Sequence, residues 1–371
     1  MGSGRFLEFG PLTLRMVFFV FAISLSVFIY SYRLKIKSYI LWLLYIHLTL
    51  LSFSTSVGIL NGAELSLIVE DVKPLLYFFM ILPFAIFIKS NQSIKLVTNS
   101  IKFSSFIMMI IYLMLIAMIY FGLIDFKTVY HLISENSNDI MFRGSSSSEP
   151  QFFYKGFLYL NIGFIFFLLS PKKLDKYIAL LLLISILLTF TRGFLLGLML
   201  AFMYSFMVEL KNKKSFFYFL IILLLIIIIF PIYMNFVGER GGSVRVRMIQ
   251  IEQVIDSIGV LSLFIGHGFG IGVPIKPVHM EVAYLEIFHK QGLLGLIFWF
   301  AIIWMITKQY MTIKYKNHIV KSFFIGSIFV FMQSLTNPFI NNPIGLSMVL
   351  ISLISLKYIQ KNEKNYKEKY E

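Results

Sequence analysis

A chain of 371 residues that is 58% hydrophobic and only 14% charged, with a mean hydropathy of +0.83, has too little polar surface to cover a soluble globule. Its formal charge of +15 lies in short runs between apolar stretches, which implies a polytopic membrane protein and no nucleic-acid partner. The absence of cysteine excludes disulfides and thiolate-bound metals and leaves the compartment open.

Eleven apolar runs approach or exceed the roughly 20 residues that cross about 30 Å of hydrocarbon as helix. They lie at about 12–31, 38–60, 74–88, 103–124, 156–170, 177–190, 194–208, 215–235, 291–307, 319–336 and 341–356. The expected fold is an all-α polytopic membrane protein, one integral membrane domain over 1–371. Two extracytoplasmic loops are expected, 125–155 and 236–290, the larger containing surface helices. The first run has no small-residue cleavage site and flows into Arg33, Lys35 and Lys37, as a retained span does. Lysines crowd alternate connections and the tail, so the positive-inside rule puts the C-terminus in the cytoplasm and both large loops outside. Of eight arginines only Arg33 falls on the lysine-rich side. Lysine suffices to hold topology, whereas the planar guanidinium fork suits phosphate oxygens. Arg5, Arg15 and Arg240 are read as partners of nearby acids.

Along the chain, the first four runs look like scaffold, with Trp42, Tyr45 and Tyr112 as packing or interface residues. His47, inside the second run, is expected to be a hydrogen-bonded bundle histidine. Residues 61–73, with Glu64, Glu70 and Asp71, read as a solvated outer turn. In the 125–155 loop, Arg143 and Glu149 bracket four serines and are candidate substrate residues beside the aromatic Phe152, Phe153 and Tyr154. Tyr177–Phe190 and Phe194–Val208 are both short for a span and meet at Thr191-Arg192-Gly193. A hairpin of short helices sinks its turn toward the hydrocarbon, where Arg192 needs a partner, an acid or a lipid phosphate. No acid is near in sequence, which favours phosphate.

The longest polar interruption, 235–296, follows. Ser243 is placed to cap a helix whose Val244, Met248, Ile251, Ile255 and Ile258 form one stripe, so the helix should lie along the membrane surface. Arg247 falls at the edge of the stripe, toward a headgroup; Arg245 flanks it with Glu252 and Asp256 and reads as structural. Gly266, His267, Gly268, Phe269, Gly270 and Gly272 make a glycine-rich turn whose amides suit an anion, though without a following Gly-Lys-Ser it is no nucleotide loop. His267 within it is a further substrate-binding candidate. His279 and Glu281 precede the next span and are candidate bases, beside a cation pair able to neutralise a departing pyrophosphate. Thr336-Asn337-Pro338 and Asn341-Asn342-Pro343 are turn formers.

The order of these motifs resembles the O-antigen polymerase and ligase superfamily of bacterial inner membranes. The resemblance is carried by Arg143 with Ser-Glu149-Pro, by Thr191-Arg192-Gly193, by the arginine-bearing helix running into Gly266-His267-Gly268-Phe269-Gly270, and by Glu281-Val-Ala-Tyr284-Leu285-Glu286 followed by Gly292-Leu-Leu-Gly295. It implies a metal-independent membrane glycosyltransferase without cofactor, acting on undecaprenyl-pyrophosphate-linked oligosaccharide at the periplasmic face, with a flippase and a chain-length regulator as partners besides membrane lipid. Arg192 with Arg247 or Arg245 would bind the pyrophosphate. Ligases of that superfamily carry histidine where this chain, aligned on Tyr284-Leu285, has Glu281, which favours a polymerase. A ligase or a flippase for the same lipid-linked sugar is the alternative. Glu281 is the expected base, with His279 second.

Overall fold

Helices apolar on every face must be buried on every face, in protein or lipid, and the C-terminal part of this chain takes the first course. A computed structural model describes residues 8–9, 12–32, 37–129, 140–142, 152–210, 213–236 and 241–363. Short antiparallel pairs, β1 (Glu8–Phe9) with β2 (Leu12–Thr13) and later β3 (Ile140–Phe142) with β4 (Phe152–Tyr154), are minor additions to an all-helical body. In chain order the helices are α1 (Leu14–Tyr32), α2 (Ser38–Leu60), α3 (Leu65–Leu75), α4 (Ile81–Phe87), α5 (Asn91–Tyr120), α6 (Leu158–Leu168), α7 (Lys173–Leu188), α8 (Arg192–Val208), α9 (Lys213–Phe236), α10 (Gly241–Asp256), α11 (Val260–Ile265), α12 (Ala283–Thr312), α13 (His318–Gln333) and α14 (Pro343–Lys361).

All eleven apolar runs fall on helix. Four helices among the described residues are long and apolar enough to cross a membrane: α2, α5, α12 and α14; shorter apolar helices include 16–32, 155–168, 192–208, 216–225 and 318–333. The run at 74–88 is not one straight helix. Pro74 closes α3, a 3-10 turn (Leu76–Met80) follows, and Pro83 sits in the first turn of α4, since proline cannot donate to the preceding turn.

At the centre α13 buries Phe323, Phe324, Phe329 and Phe331, and α14 buries Leu346, Leu350 and Leu353. The two pack on each other and on α6, α8 and α12. The surrounding helices leave large apolar side chains exposed, among them Phe21 and Phe28 of α1, Phe103 and Ile111 of α5, and Ile227 of α9. A membrane protein presents such a surface to acyl chains. His47 behaves as expected, with Nε2 3.1 Å from the Leu75 carbonyl and its ring stacked on Phe78.

Two expectations are corrected. Residues 65–75 are helix rather than solvated turn, and Asp71 is buried beside Ile68 and Leu75 on its inner face. The helix expected to start after Ser243 already begins at Gly241, which places Ser243 inside it and not at its cap. Within 236–290 lie α10, α11 and the first turns of α12, which breaks at Gly292. Arg143 and Glu149 lie outside the described residues.

Candidate active site

The site grows from a break in α12. Gly292 has φ 62° and ψ −159° within that helix, a left-handed conformation open to glycine and strained for other residues. The break releases the carbonyls of the preceding turn. His267 N donates to His289 O at 2.8 Å and Gly268 N to Lys290 O at 3.0 Å. The glycine-rich turn therefore docks onto the kink. Three more of its amides are engaged: Gly266 N donates to Ser262 O, Phe269 N to Ser54 O, and Gly270 N to Asp71 Oδ2 at 2.7 Å. The expectation that these amides cradle an anion is overturned, because the protein supplies their acceptors, one being the carboxylate of Asp71. The turn is a wedge between α2 and α12, and a Cβ added to Gly268 would lie 2.0 Å from Gly58 N. His267 is half-buried and its ring lies tilted against that of His289, with ring centres 4.6 Å apart.

Beneath the turn lies a buried ion cluster. Lys290 Nζ donates to Asp71 Oδ1 at 2.7 Å, Glu286 Oε1 at 2.9 Å and the Val278 carbonyl at 2.6 Å. An ammonium has three protons, so it is saturated. Asn341 donates to the other oxygen of Glu286 at 2.6 Å. Burial pushes the Asp71 carboxyl above its usual range, and the Lys290 ammonium and the Gly270 amide oppose that rise. His279 covers the cluster, with Nδ1 3.4 Å from Glu286 Oε1 and 3.6 Å from Asp71 Oδ1 and its side chain 53% exposed. A cavity of about 30 Å³ lies among Asp71, His279, Glu286, Lys290, Gln291 and Asn341, room for one or two waters. Asp71, His279 and Glu286 offer ligand atoms within 4.8 Å of one another. The cation held between the two carboxylates is the Lys290 ammonium, so the group reads as an ion cluster rather than a metal site.

Glu281 lies in the non-helical bend between His279 and Ala283. Its backbone N donates to Gln250 Oε1 at 3.2 Å, which ties the bend to α10. Its carboxylate faces Arg247, with Nε to Oε2 at 3.0 Å and both side chains about 30% exposed. Arg247, Gln250 and Val254 share the inward side of α10, whereas Val244, Met248, Ile251 and Ile255 are exposed. The apolar stripe thus points away from the protein, and Arg247 points to Glu281. Arg245 is exposed with Glu252 and Asp256, as its flank position implied.

Arg192 opens α8 after a tight turn in which Phe190 has φ 49°, strained for a bulky residue. Thr189 and Thr191 are buried. The Nε and Nη2 of Arg192 are buried and have no hydrogen-bond partner among the described residues. Gly193 packs on Gln333 and Thr336, and Gly197 on Gln333 and Phe329. The C-terminal end of α13 also meets the start of α12: Ala283 N donates to Ser334 O at 3.2 Å and Tyr284 OH to Phe331 O at 3.0 Å. That helix end thus packs against the start of α8 at Gly193 and Gly197 and against the start of α12 at Ala283 and Tyr284.

Asp71, Glu286, Lys290 and Asn341 were missed by sequence reasoning as site residues. A Glu and a Lys four apart on one helix is a legible pair, but it reads as a solvated face until the partner from α3 is known.

Comparison with known proteins adds three findings. The sequence model of a family described as O-Antigen ligase matches residues 177–300. An O-antigen polymerase of Shigella flexneri is 27% identical over 375 residues, covering 97% of this chain and 92% of that protein. No solved structure matches. The chain is similar to the superfamily that its motif order resembles.

Proposed function

We propose that this chain is an O-antigen polymerase, a membrane glycosyltransferase that moves a growing glycan from undecaprenyl pyrophosphate to the nonreducing end of a lipid-linked repeat unit. The observation that carries this reading is the orphaned guanidinium of Arg192 at the start of α8. A buried guanidinium needs an acceptor, and it stands at the N-terminus of α8, where the helix dipole adds further positive charge. A diphosphate satisfies both. Arg247 is the second ligand. Its pair with Glu281 is about a third exposed, so it contributes only about 0–1 kcal/mol and yields readily to a doubly charged group. The bend supplies the base, Glu281 or His279, for the acceptor hydroxyl. Attack at the anomeric carbon with pyrophosphate departing inverts that centre, and the arginines stabilise the leaving charge without a metal.

Eleven spans, an inner-membrane location, a cytoplasmic C-terminus and a periplasmic active face complete the proposal, supported by the lysine asymmetry and the helix positions. Arg143, Glu149, Arg245 and His267 are proposed to line the glycan path, with a flippase and a chain-length regulator as partners. The second reading is a ligase, favoured by the description of the family matched at 177–300.

Purified protein mixed with lipid-linked repeat units, extracted from its own host deleted for it, should yield a ladder of lipid-linked products. Transfer only to a separately supplied acceptor selects the ligase. Passage of intact labelled substrate across a vesicle, with no bond formed, rejects both.

A further inference from the structure

The group beneath His279 holds more acid than base. Asp71 and Glu286 bring two buried carboxylates and Lys290 one buried ammonium, and burying uncompensated charge is costly. Lys290 has no proton left for either acid, Gly270 N caps one oxygen of Asp71, and Asn341 caps one oxygen of Glu286. The two oxygens that Lys290 bridges are those that His279 Nδ1 approaches, at 3.4 Å and 3.6 Å. The imidazole thus covers the open side of two carboxylates that share one ammonium.

We propose that His279 is the general base of the polymerisation, and that Asp71, Glu286 and Lys290 form a positioning group that orients its ring and stabilises its protonated form. The proposal rests on the polymerase reading and selects between the two bases it leaves open. His279 is half exposed and has only one nitrogen against the cluster, whereas no orienting group besides Arg247, itself assigned to the diphosphate, faces the Glu281 carboxylate among the described residues. Nδ1 carries its proton toward the carboxylates, leaving Nε2 to accept. The acceptor hydroxyl passes its proton to Nε2, and the oxygen lone pair forms the bond to the anomeric carbon. The bond from that carbon to the diphosphate oxygen breaks, and its electron pair departs on the diphosphate. The logic is that of a buried carboxylate behind a catalytic histidine, here with two carboxylates bridged by an ammonium. Among the described residues, the charged groups facing His279 are Asp71 from α3 and Glu286 and Lys290 from α12.

The test uses full-length protein in detergent with the same lipid-linked repeat units. His279→Gln should lower kcat by about 100-fold or more, the usual contribution of a general base, and added imidazole should restore part of the ladder. Asp71→Asn should lower kcat with KM little changed while eluting as the wild type does. In the double variant Asp71→Asn with His279→Gln, imidazole should restore much less of the ladder, because one of the two carboxylates that orient the free ring is gone. A wild-type ladder that His279→Gln preserves overturns this proposal alone, as does equal imidazole rescue with and without Asp71. A wild-type protein that makes no ladder overturns the polymerase reading and the base assignment with it.

Discussion

At the scale of single residues, the chemistry turns on which polar groups are satisfied. Lys290 has three acceptors for three protons and reads as a fixed part of the scaffold. Arg192 has two buried nitrogens with none among the described residues and reads as waiting for an anion. Arg192→Lys keeps the charge and removes the fork. We predict a fall in polymerisation rate of about 100-fold, the order of losing one strong transition-state donor, with unchanged elution in detergent. A variant within about threefold of the wild type would mean that the guanidinium geometry is irrelevant. Arg192 was legible in the sequence because an arginine between two short apolar runs stands at the edge of hydrocarbon, where a bare cation is costly and calls for an anion. Asp71 was not, because an acid in a short polar connection looks the same whether it faces water or a buried lysine.

Elements bring those residues together through glycine. The wedge of 266–270 and the kink at Gly292 interlock: a Cβ on Gly266 would meet the Lys290 carbonyl at 2.5 Å, and one on Gly292 would meet the Phe264 carbonyl carbon at 2.4 Å. Gly292→Ala therefore adds a backbone clash to the cost of a positive φ, about 1–2 kcal/mol. Gly62→Ala, at φ +79° with nothing within 4 Å, bears the φ cost alone. The thermal midpoint in detergent should fall clearly further for Gly292→Ala, and equal falls would show that the wedge is not held by contact. The glycine-rich turn was visible as a pattern, but its partner was not. Two of its amides, those of His267 and Gly268, are bound by carbonyls that are free acceptors only because another helix is broken.

For the whole molecule, the exposed side of α10 and α11 decides how the site meets the bilayer. Met248, Ile255, Val260, Leu261 and Phe264 are exposed there, and Glu252 lies on the polar flank. We predict that this side rests in the outer interface of the membrane. The chain has no cysteine, so single cysteines report cleanly. With a membrane-impermeant maleimide on intact spheroplasts, Glu252→Cys should label and Met248→Cys should resist, while Lys314→Cys should label only after permeabilisation. Labelling of Lys314→Cys from outside would invert the proposed orientation. Helix positions, the order of motifs and the lysine asymmetry were determined by the sequence alone, because each is a property of contiguous residues under a 20-residue apolar rule. The tertiary structure alone decided the ion cluster, whose Asp71 and Lys290 stand 219 positions apart. Helices apolar on all faces carry no periodic signal for which side meets which neighbour, so only packing could place a carboxylate from α3 against a lysine of α12.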